Sequence, residues 1–389
     1  MPELDLAARA TDILARLISF DTTSRGSNLA LIGYIEGMLG GLGVTSHRVA
    51  NAEGTKTNLY ATLGPMVAGG VILSGHTDVV PVDGQPWTSD PFTLVRRGER
   101  LYGRGTCDMK GFLALTLAAA PDFLGGARPV HLAFSYDEEV GCIGAPAMIA
   151  EIAHRLPLPM AVIVGEPTNM EAVSGHKGIA TWLVKVDGHE AHSSLTHLGV
   201  SANMVAIRLM QQLHDIADGL AHQADPASPF CPKHATLTIG QMHGGTAVNI
   251  LAREASFAFD LRTPPGTLPE TILAPFFAAA EAVDAAIRAR FPECGVSVTR
   301  RSKTPAFAPE RDGAAERLAR TLSGDNGPGR VVSYAAEAGQ FQGAGFSTVI
   351  CGPGSIEQAH QPDEYVEVAQ IARGASFMAR LAEMVSREG

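Results

Sequence analysis

Residues 71–78 read VILSGHTD, a short apolar run that ends in a histidine and an aspartate. Similar apolar runs lie at 130–135 and 161–164, and helix-like stretches at 109–121 and 144–155 alternate with them. Short apolar runs separated by helices are typical of a mostly parallel sheet with helices on both faces. The sequence therefore predicts an α/β fold, in which catalytic groups gather at the carboxyl ends of the strands.

Two amphipathic helices are predicted before this sheet. The second of them begins after Asn28, a residue type that favours the N-cap position. The buried face of the first helix is predicted to carry Leu6, Ala10, Ile13, Leu14, Leu17 and Ile18.

The pattern changes near residue 178. A strand at 179–186, a helix at 200–217, strands at 235–242 and 255–261, a helix at 268–290 and a strand at 295–300 follow in turn. This β-α-β-β-α-β order is typical of a self-contained ferredoxin-like unit. Helix and strand patterns resume at 312–323, 331–333, 347–351 and 366–386. We therefore predict a catalytic domain in two parts, 1–177 and 303–389, with a lid or dimerisation domain, 178–302, inserted between them.

Composition limits the classes of function. A net charge of -10 argues against nucleic-acid and anionic-membrane partners, because binding either needs clustered Lys and Arg. The sequence contains no stretch of about 18 uncharged apolar residues, the length needed to span a bilayer, and the acidic start of the chain does not resemble a secretory signal. We therefore expect a cytoplasmic protein. The five cysteines form no CxxC pair and are expected to be free thiols.

Polar residues that could bind metal follow the predicted strands. Taken singly, each has an ordinary explanation, such as a histidine in a turn or a solvated acidic loop. Asp108 lies in the glycine-rich turn 103–111, which lacks both phosphate-binding motifs, GxGxxG and GxxxxGK[ST], so a metal ligand is favoured over a nucleotide site. The candidate ligands are His76, Asp108, Glu139, Glu166 and His360.

Two histidines and three carboxylates match the ligand count of a two-metal site with one bridging carboxylate. The absence of thiolates favours zinc, with cobalt or manganese as substitutes. Glu138 and Glu139 are adjacent, so one could be a ligand and the other a general base. His189 and His192 are spaced three apart and therefore do not form the HExxH zinc motif.

The blocks 75–81, 103–111, 137–139, 165–168 and 359–364 resemble, in order, the motifs of the dinuclear zinc aminoacylase/carboxypeptidase family, and the resemblance covers nearly the whole chain. It implies hydrolysis of the amide bond of a small N-acyl amino acid with two zinc ions per subunit. The implied roles are zinc binding by His76 with Glu166 and by Glu139 with His360, bridging by Asp108, orientation of His76 by Asp78, and general base catalysis by Glu138.

The resemblance also implies a cis peptide bond after Asp108. In the inserted domain, it implies a homodimer in which His192 reaches the partner subunit's active site and stabilises the oxyanion. From the residues alone, His192 could equally be an exposed loop histidine. Asn249 and Arg262 would bind the substrate carboxylate, although an ion pair is the ordinary explanation for Arg262.

The choice of substrate depends on the blocks 337–339 and 352–362. These resemble one deacylase branch of the family more than its desuccinylase or peptidase branches. In that branch, Glu337 would meet a cationic side chain of the substrate. A desuccinylase or a broad N-acyl amino acid hydrolase remains an alternative. A non-catalytic amino-acid-binding homologue is the alternative from another class, but it would be expected to lose the base or a ligand.

Overall fold

The structure of the protein is a computed structural model that describes residues 2–387. The helices are α1 (Pro2–Ile18), α2 (Leu29–Gly41), α3 (Lys110–Phe123), α4 (Ala145–Arg155), α5 (Ala202–Ala221), α6 (Pro269–Arg288), α7 (Ala314–Ser323), α8 (Ala338–Gly343) and α9 (Val368–Ser386). The strands are β1 (Ser46–Ala50), β2 (Thr57–Leu63), β3 (Val71–His76), β4 (Val95–Arg97), β5 (Arg100–Tyr102), β6 (Val130–Ser135), β7 (Ala161–Pro167), β8 (Val173–His176), β9 (Gly178–Asp187), β10 (Thr236–Gly244), β11 (Glu254–Thr263), β12 (Gly295–Thr304), β13 (Arg330–Val332), β14 (Thr348–Gly352) and β15 (Tyr365–Glu367).

The main sheet has the strand order β1-β2-β6-β3-β7-β14-β8-β13. Its central strands β6, β3, β7 and β14 run parallel, and β2 and β8 join them in the antiparallel sense. Every residue of β3, β6 and β7 is buried, which requires both faces of the sheet to be covered. The predicted α/β fold with a mostly parallel sheet is confirmed.

Helices α1, α3 and α9 pack on one another above this sheet, and α4 packs against β2 and β6. The predicted buried face of α1 is confirmed at all its positions except Ile13, which is only partly buried. Asn28 precedes α2, but its side chain does not cap the helix. It bonds instead to Thr57 and to the hydroxyl of Thr77, so a tertiary contact replaces the local one.

The chain divides into two compact units. The first contains the residues up to Gly175, Phe307–Val331 and the residues from Ala336 onward, and the second contains His176–Ala306 and Val332–Ala335. The domain roles predicted from the sequence stay predictions.

The second unit has the predicted β-α-β-β-α-β order, built from β9, α5, β10, β11, α6 and β12. Its strands form an antiparallel sheet of order β10-β11-β9-β12. Helices α5 and α6 pack on each other, α5 also packs on β9, β10 and β11, and α6 packs on β12, with a core of their own. Within residues 2–387, no helix is long and apolar enough to cross a membrane.

Candidate metal centre

The five candidate ligands lie at one edge of the main sheet. His76 is the last residue of β3, Glu166 lies at the end of β7, and Glu139 follows β6. Asp108 lies in the turn before α3, and His360 follows β14. Because β3, β6, β7 and β14 are parallel, their carboxyl ends meet at the same edge.

Asp108 joins two clusters of candidate ligands. Its Oδ1 lies 3.0 Å from Nε2 of His76, and its Oδ2 lies 3.4 Å from Nε2 of His360. Glu166 completes the first cluster, with Oε1 3.8 Å from His76, and Glu139 completes the second, with Oε2 3.0 Å from His360. The ligand atoms within each cluster all lie within 4.8 Å of one another. One carboxylate facing two histidines through different oxygens is the arrangement that a metal-bridging carboxylate requires.

Two buried oxygens in this cluster indicate that cations belong there. Within the described chain, Oε1 of Glu139 and Oε1 of Glu166 have no hydrogen-bond partner. An ionised oxygen buried without a partner is costly, and binding a metal ion satisfies it. Histidine and carboxylate donors without thiolate suit zinc, cobalt or manganese. The residues present therefore fit a pair of divalent ions.

The pKa values of the ligand side chains reflect the same crowding of negative charge. Burial raises the pKa of Glu139 to about 7, helped by the charge of Asp108, and burial raises the pKa of Glu166 well above its usual range. Burial alone would lower the pKa of His76, but Asp108 and Glu166 outweigh it and raise that pKa. Hydrogen bonds to Asp108 and Glu139 raise the pKa of His360 to about 10. Ligands that hold protons when no cation is near release them when a metal binds.

The run of three carboxylates at 137–139 is separated by its partners. Asp137 pairs with Lys56, its Oδ1 lying 2.5 Å from Nζ. Glu138 accepts a hydrogen bond from the thiol of Cys142 at 3.0 Å. Burial raises the pKa of Glu138 to about 8, with the neighbouring charge of Glu139 adding to the effect and His76 opposing it. The three side chains therefore have different partners, and the acidic run does not act as a single group.

Asp78 has contacts that its predicted role does not include. Nδ1 of His76 is 2.9 Å from the backbone carbonyl oxygen of Asp78, whereas the nearer carboxylate oxygen is 3.6 Å away. The carboxylate instead accepts hydrogen bonds from the backbone amides of Glu138 and Glu139, at 3.1 and 3.3 Å, and from Ser24 at 2.6 Å. Asp78 thus holds His76 through its backbone and the loop after β6 through its side chain.

The loops around the cluster contain non-glycine residues in the left-handed region. They include Asp137, Cys142, His360 and Asp363, with φ values of 56°, 53°, 62° and 54°. This conformation is uncommon for residues other than glycine and collects at functional sites. The Asp108–Met109 peptide bond is cis, which confirms the prediction.

Glu337 belongs to the first unit and contacts strands β3 and β6. It is 1% exposed, and both its oxygens accept hydrogen bonds, one from Ser135 and one from Ser74 at 3.2 Å. Burial raises its pKa. In this conformation the carboxylate is engaged by the two strands rather than presented to solvent.

His192, Asn249 and Arg262 all belong to the second unit. His192 is exposed, and its Nδ1 lies 2.8 Å from the hydroxyl of Ser194. The carbonyl of Asn249 accepts a hydrogen bond from the amide of Ser193, so the segments that carry His192 and Asn249 lie side by side. Arg262 pairs with Asp260 at 2.9 Å, which is the ordinary ion pair named as its alternative.

A third group of potential ligands lies in the second unit, formed by His189, Glu293 and Cys294. His189 and Glu293 already form a hydrogen bond at 2.8 Å. Burial, together with the charges of Glu293 and Asp187, raises the pKa of Cys294. A protonated thiol is a poor metal ligand, so these contacts indicate an ion pair beside a buried cysteine.

Sequence reasoning missed several residues that support the site. Ser24 and Cys142 hold Asp78 and Glu138, and Lys56 neutralises Asp137. The position of Cys142 three residues after Glu139 was the available signal, whereas Ser24 and Lys56 lie far away in sequence and offered none.

A parallel α/β sheet that carries two joined histidine–carboxylate clusters at its strand ends defines a class of metal-dependent hydrolases. The pattern of the peptidase family M20/M25/M40 matches residues 72–384, and the chain belongs to this family, whose members cut amide bonds. It is 34% identical to an acetylornithine deacetylase of Myxococcus xanthus, with 96% of each chain covered. It is 33% identical to that of Proteus mirabilis, with 93% of this chain and 92% of the relative covered.

Solved structures share the fold. A metallo-carboxypeptidase of the M20 family from Sulfolobus solfataricus has a TM-score of 0.78, with 16% identity and coverage of 97% of this chain and 99% of the other. A dinuclear metal binding peptidase of the same family from Bacillus subtilis has a TM-score of 0.64, with 14% identity and 98% of each chain covered.

Proposed function

We propose that the protein hydrolyses N2-acetyl-L-ornithine to L-ornithine and acetate, as an acetylornithine deacetylase acting in arginine biosynthesis. The observation that carries this proposal is the pair of ligand clusters that share Asp108, in a chain whose full-length relatives bear that name. We propose zinc as the metal, two ions per subunit, with cobalt or manganese as substitutes.

The metal ligands are proposed to be divided as the two clusters suggest. His76 and Glu166 hold one ion, Glu139 and His360 hold the other, and Asp108 bridges them. Two divalent ions held there would polarise the amide carbonyl and lower the pKa of the attacking water. His360 is half exposed, which supports access of the substrate from that side.

Glu138 is proposed as the general base. It lies next to Glu139 in the chain, and its Oε1 is engaged by Cys142. The carboxylate takes a proton from the attacking water and donates it to the leaving amine. A general base of this kind contributes about 10²- to 10⁴-fold to the rate.

The second unit is proposed to supply substrate contacts and a homodimer interface. Asn249 and Arg262 would bind the substrate carboxylate, and His192 would stabilise the oxyanion in the partner subunit's site. Two features of this unit support the dimer. In the described chain, β10 is an edge strand paired only with β11. Apolar side chains are exposed on and near it, namely Met204, Ile207, Met242 and Val248.

The substrate is tested by a panel of N-acetyl-L-ornithine, N-succinyl-L,L-diaminopimelate and several neutral N-acetyl amino acids, with release of the free amine measured at equal zinc loading. We expect the highest kcat/KM for acetylornithine. A higher value for the succinyl substrate or for neutral substrates would replace this function with desuccinylation or broad amino acid deacylation. No turnover of any substrate by the zinc-loaded protein would favour a binding protein.

Two variants test the roles proposed for Glu138 and Glu337. Glu138→Gln is expected to keep both metal ions and to lose at least about a hundredfold in kcat, and near-normal turnover would remove Glu138 as the base. Glu337→Gln tests the proposed contact between Glu337 and the cationic side chain. KM for acetylornithine should rise while KM for a neutral substrate stays the same, and an unchanged KM for both would remove Glu337 from the binding site.

A further inference from the structure

Glu364 is a buried carboxylate four residues after His360 that the proposed reaction does not use. It is 1% exposed. Its Oε1 accepts hydrogen bonds from the backbone amides of Cys107 and Asp108, at 2.8 and 3.1 Å. Its Oε2 accepts from the amide of Gly105 at 3.0 Å. One side chain therefore binds three amides of the turn that carries Asp108.

Arg104 provides the fourth donor to Glu364. Its guanidinium is 1% exposed and lies 2.7 Å from Oε2 of Glu364. The same guanidinium donates to Oε1 of Gln85 at 2.5 Å and lies 5.0 Å from the ring centre of Trp87. A buried carboxylate with a paired arginine and three amide donors has its charge and its lone pairs satisfied.

The network continues to the second histidine of the metal cluster. The side-chain amide of Gln85 donates a hydrogen bond to the backbone carbonyl of His360 at 2.9 Å. Contacts therefore run from the turn before α3, through Glu364, Arg104 and Gln85, to the backbone of His360. Both ends of this network are backbone atoms of candidate metal ligands.

We propose that Glu364 is a positioning residue that fixes the backbone of Asp108, and through Arg104 and Gln85 that of His360, so that both side chains meet the same metal ion. The proposal rests on the assignment of Asp108 and His360 as ligands and goes beyond it, because it concerns a residue that touches no substrate. The backbone of a ligand determines where its carboxylate can reach. Residues that orient metal ligands typically affect metal affinity or activity by about 10- to 100-fold.

Only a side chain with an acceptor oxygen on each side can accept hydrogen bonds from all four donors at this position. Glutamine has the same shape but a single acceptor oxygen, so its amide group would face either the amides of Cys107 and Asp108 or that of Gly105 with Arg104. Either orientation loses two hydrogen bonds and places donors against donors in a buried setting. Glu364→Gln is therefore a small change in volume with a large change in the support of Asp108.

The experiment measures metal binding without substrate, so its outcome does not depend on which amide the enzyme cuts. The metal-free protein is titrated with Zn²⁺ against a chromophoric chelator, and the Co²⁺-loaded form is followed by its visible spectrum, which reports coordination geometry. Glu364→Gln is expected to weaken binding of the more weakly held ion by about 10- to 100-fold and to change the Co²⁺ spectrum.

Asp363→Asn is the matched control. Asp363 is the preceding residue in the chain, and its carboxylate accepts hydrogen bonds from the amide and hydroxyl of Thr88 rather than from the turn 105–108. This variant makes the same change of charge and is expected to keep the metal affinity and the spectrum. Wild-type zinc affinity and spectrum in Glu364→Gln, or an equal loss in both variants, would overturn the proposal.

A second variant separates positioning from simple neutralisation of Arg104. Glu364→Met combined with Arg104→Met removes both buried charges, leaves no unpaired arginine and offers no acceptor to the turn, which protects against a failure to fold. We expect the double variant to be more stable than Glu364→Met alone but still to bind zinc weakly, because the amides of Gly105, Cys107 and Asp108 have no acceptor from this position. Recovery of zinc affinity together with stability would show that Glu364 serves only as the counter-ion of Arg104, and the proposal would be wrong.

Discussion

Replacing Asp78 with asparagine separates two ways in which this carboxylate could support the metal cluster. The backbone carbonyl that holds Nδ1 of His76 is kept in Asp78→Asn. The side chain, however, now has one acceptor oxygen for donors that reach both carboxylate oxygens: Ser24 and Glu139 at Oδ2, and Glu138 at Oδ1. If the remaining oxygen keeps Ser24 and Glu139, the new amide group faces the backbone amide of Glu138.

The size of the effect follows from that lost contact. A hydrogen bond to a charged group is worth about 1.5–3 kcal/mol. If this free energy is lost from the geometry of Glu138 in the transition state, kcat falls by about 10- to 150-fold, because each 1.36 kcal/mol is a factor of ten. KM should change little, since no substrate contact is removed.

The assay is steady-state amide hydrolysis at full zinc loading, with a ¹⁵N-histidine NMR spectrum to follow Nδ1 of His76. Ser24→Ala is the control, because it removes one hydroxyl and leaves both backbone amides bound to the carboxylate. We expect a smaller loss of kcat in Ser24→Ala and an unchanged Nδ1 signal in both variants. A kcat for Asp78→Asn within about threefold of wild type would refute the calculation. A shifted Nδ1 signal would instead assign the carboxylate to His76.

Three further predictions concern packing, protonation and metal. Gly165→Ala should lower the free energy of unfolding by about 1–3 kcal/mol or more, because the added Cβ would lie 2.0 Å from the ring of Phe112. Gly33→Ala has open space around the added Cβ and should raise the free energy of unfolding by about 0.5–1 kcal/mol. Urea unfolding measures both changes. Burial lowers the pKa of His131 from 6.5 to about 4. The unfolded chain thus binds more protons between these values, and stability should fall by about 3 kcal/mol as the pH drops from 6.5 to 4, a slope that His131→Leu should lack. Chelation should lower the melting temperature, because the metal binds only the folded protein, and added Zn²⁺ should restore it; an unchanged melting temperature would contradict the ligand assignment.

The parts of the fold that could be predicted from the sequence are those with a strong local pattern. The runs at 130–135 and 161–164 became β6 and β7, and the helix predicted at 366–386 became α9 (Val368–Ser386). The short strands β4, β5 and β15 were not predicted. Each has three residues, too few for a period to show, and they are held by pairing with one another.

The candidate ligands could be grouped from the sequence because each follows an apolar run or a glycine-rich turn. The contacts that support them could not. Ser24 reaches Asp78 across 54 positions, and Glu364 reaches Asp108 across 256. Side-chain contacts at such separations depend on how the elements pack, which local patterns do not contain. Asn28 shows the same limit, since a good capping residue bonds to a distant strand instead.

The sheet of the second unit has a consequence for the order of folding. Its first and last strands are neighbours, with Ile179 opposite Thr304, so the chain enters and leaves this unit at adjacent points. While the second unit is unfolded, its segment His176–Ala306 is a flexible loop of the first unit. Closing this loop costs the first unit about 4 kcal/mol of entropy, from (3/2)RT ln n. Once the second unit has folded, its ends are already together and the loop shrinks to a few residues. We expect the second unit to fold first and, by doing so, to bring β8 and the chain near residue 307 within reach of each other.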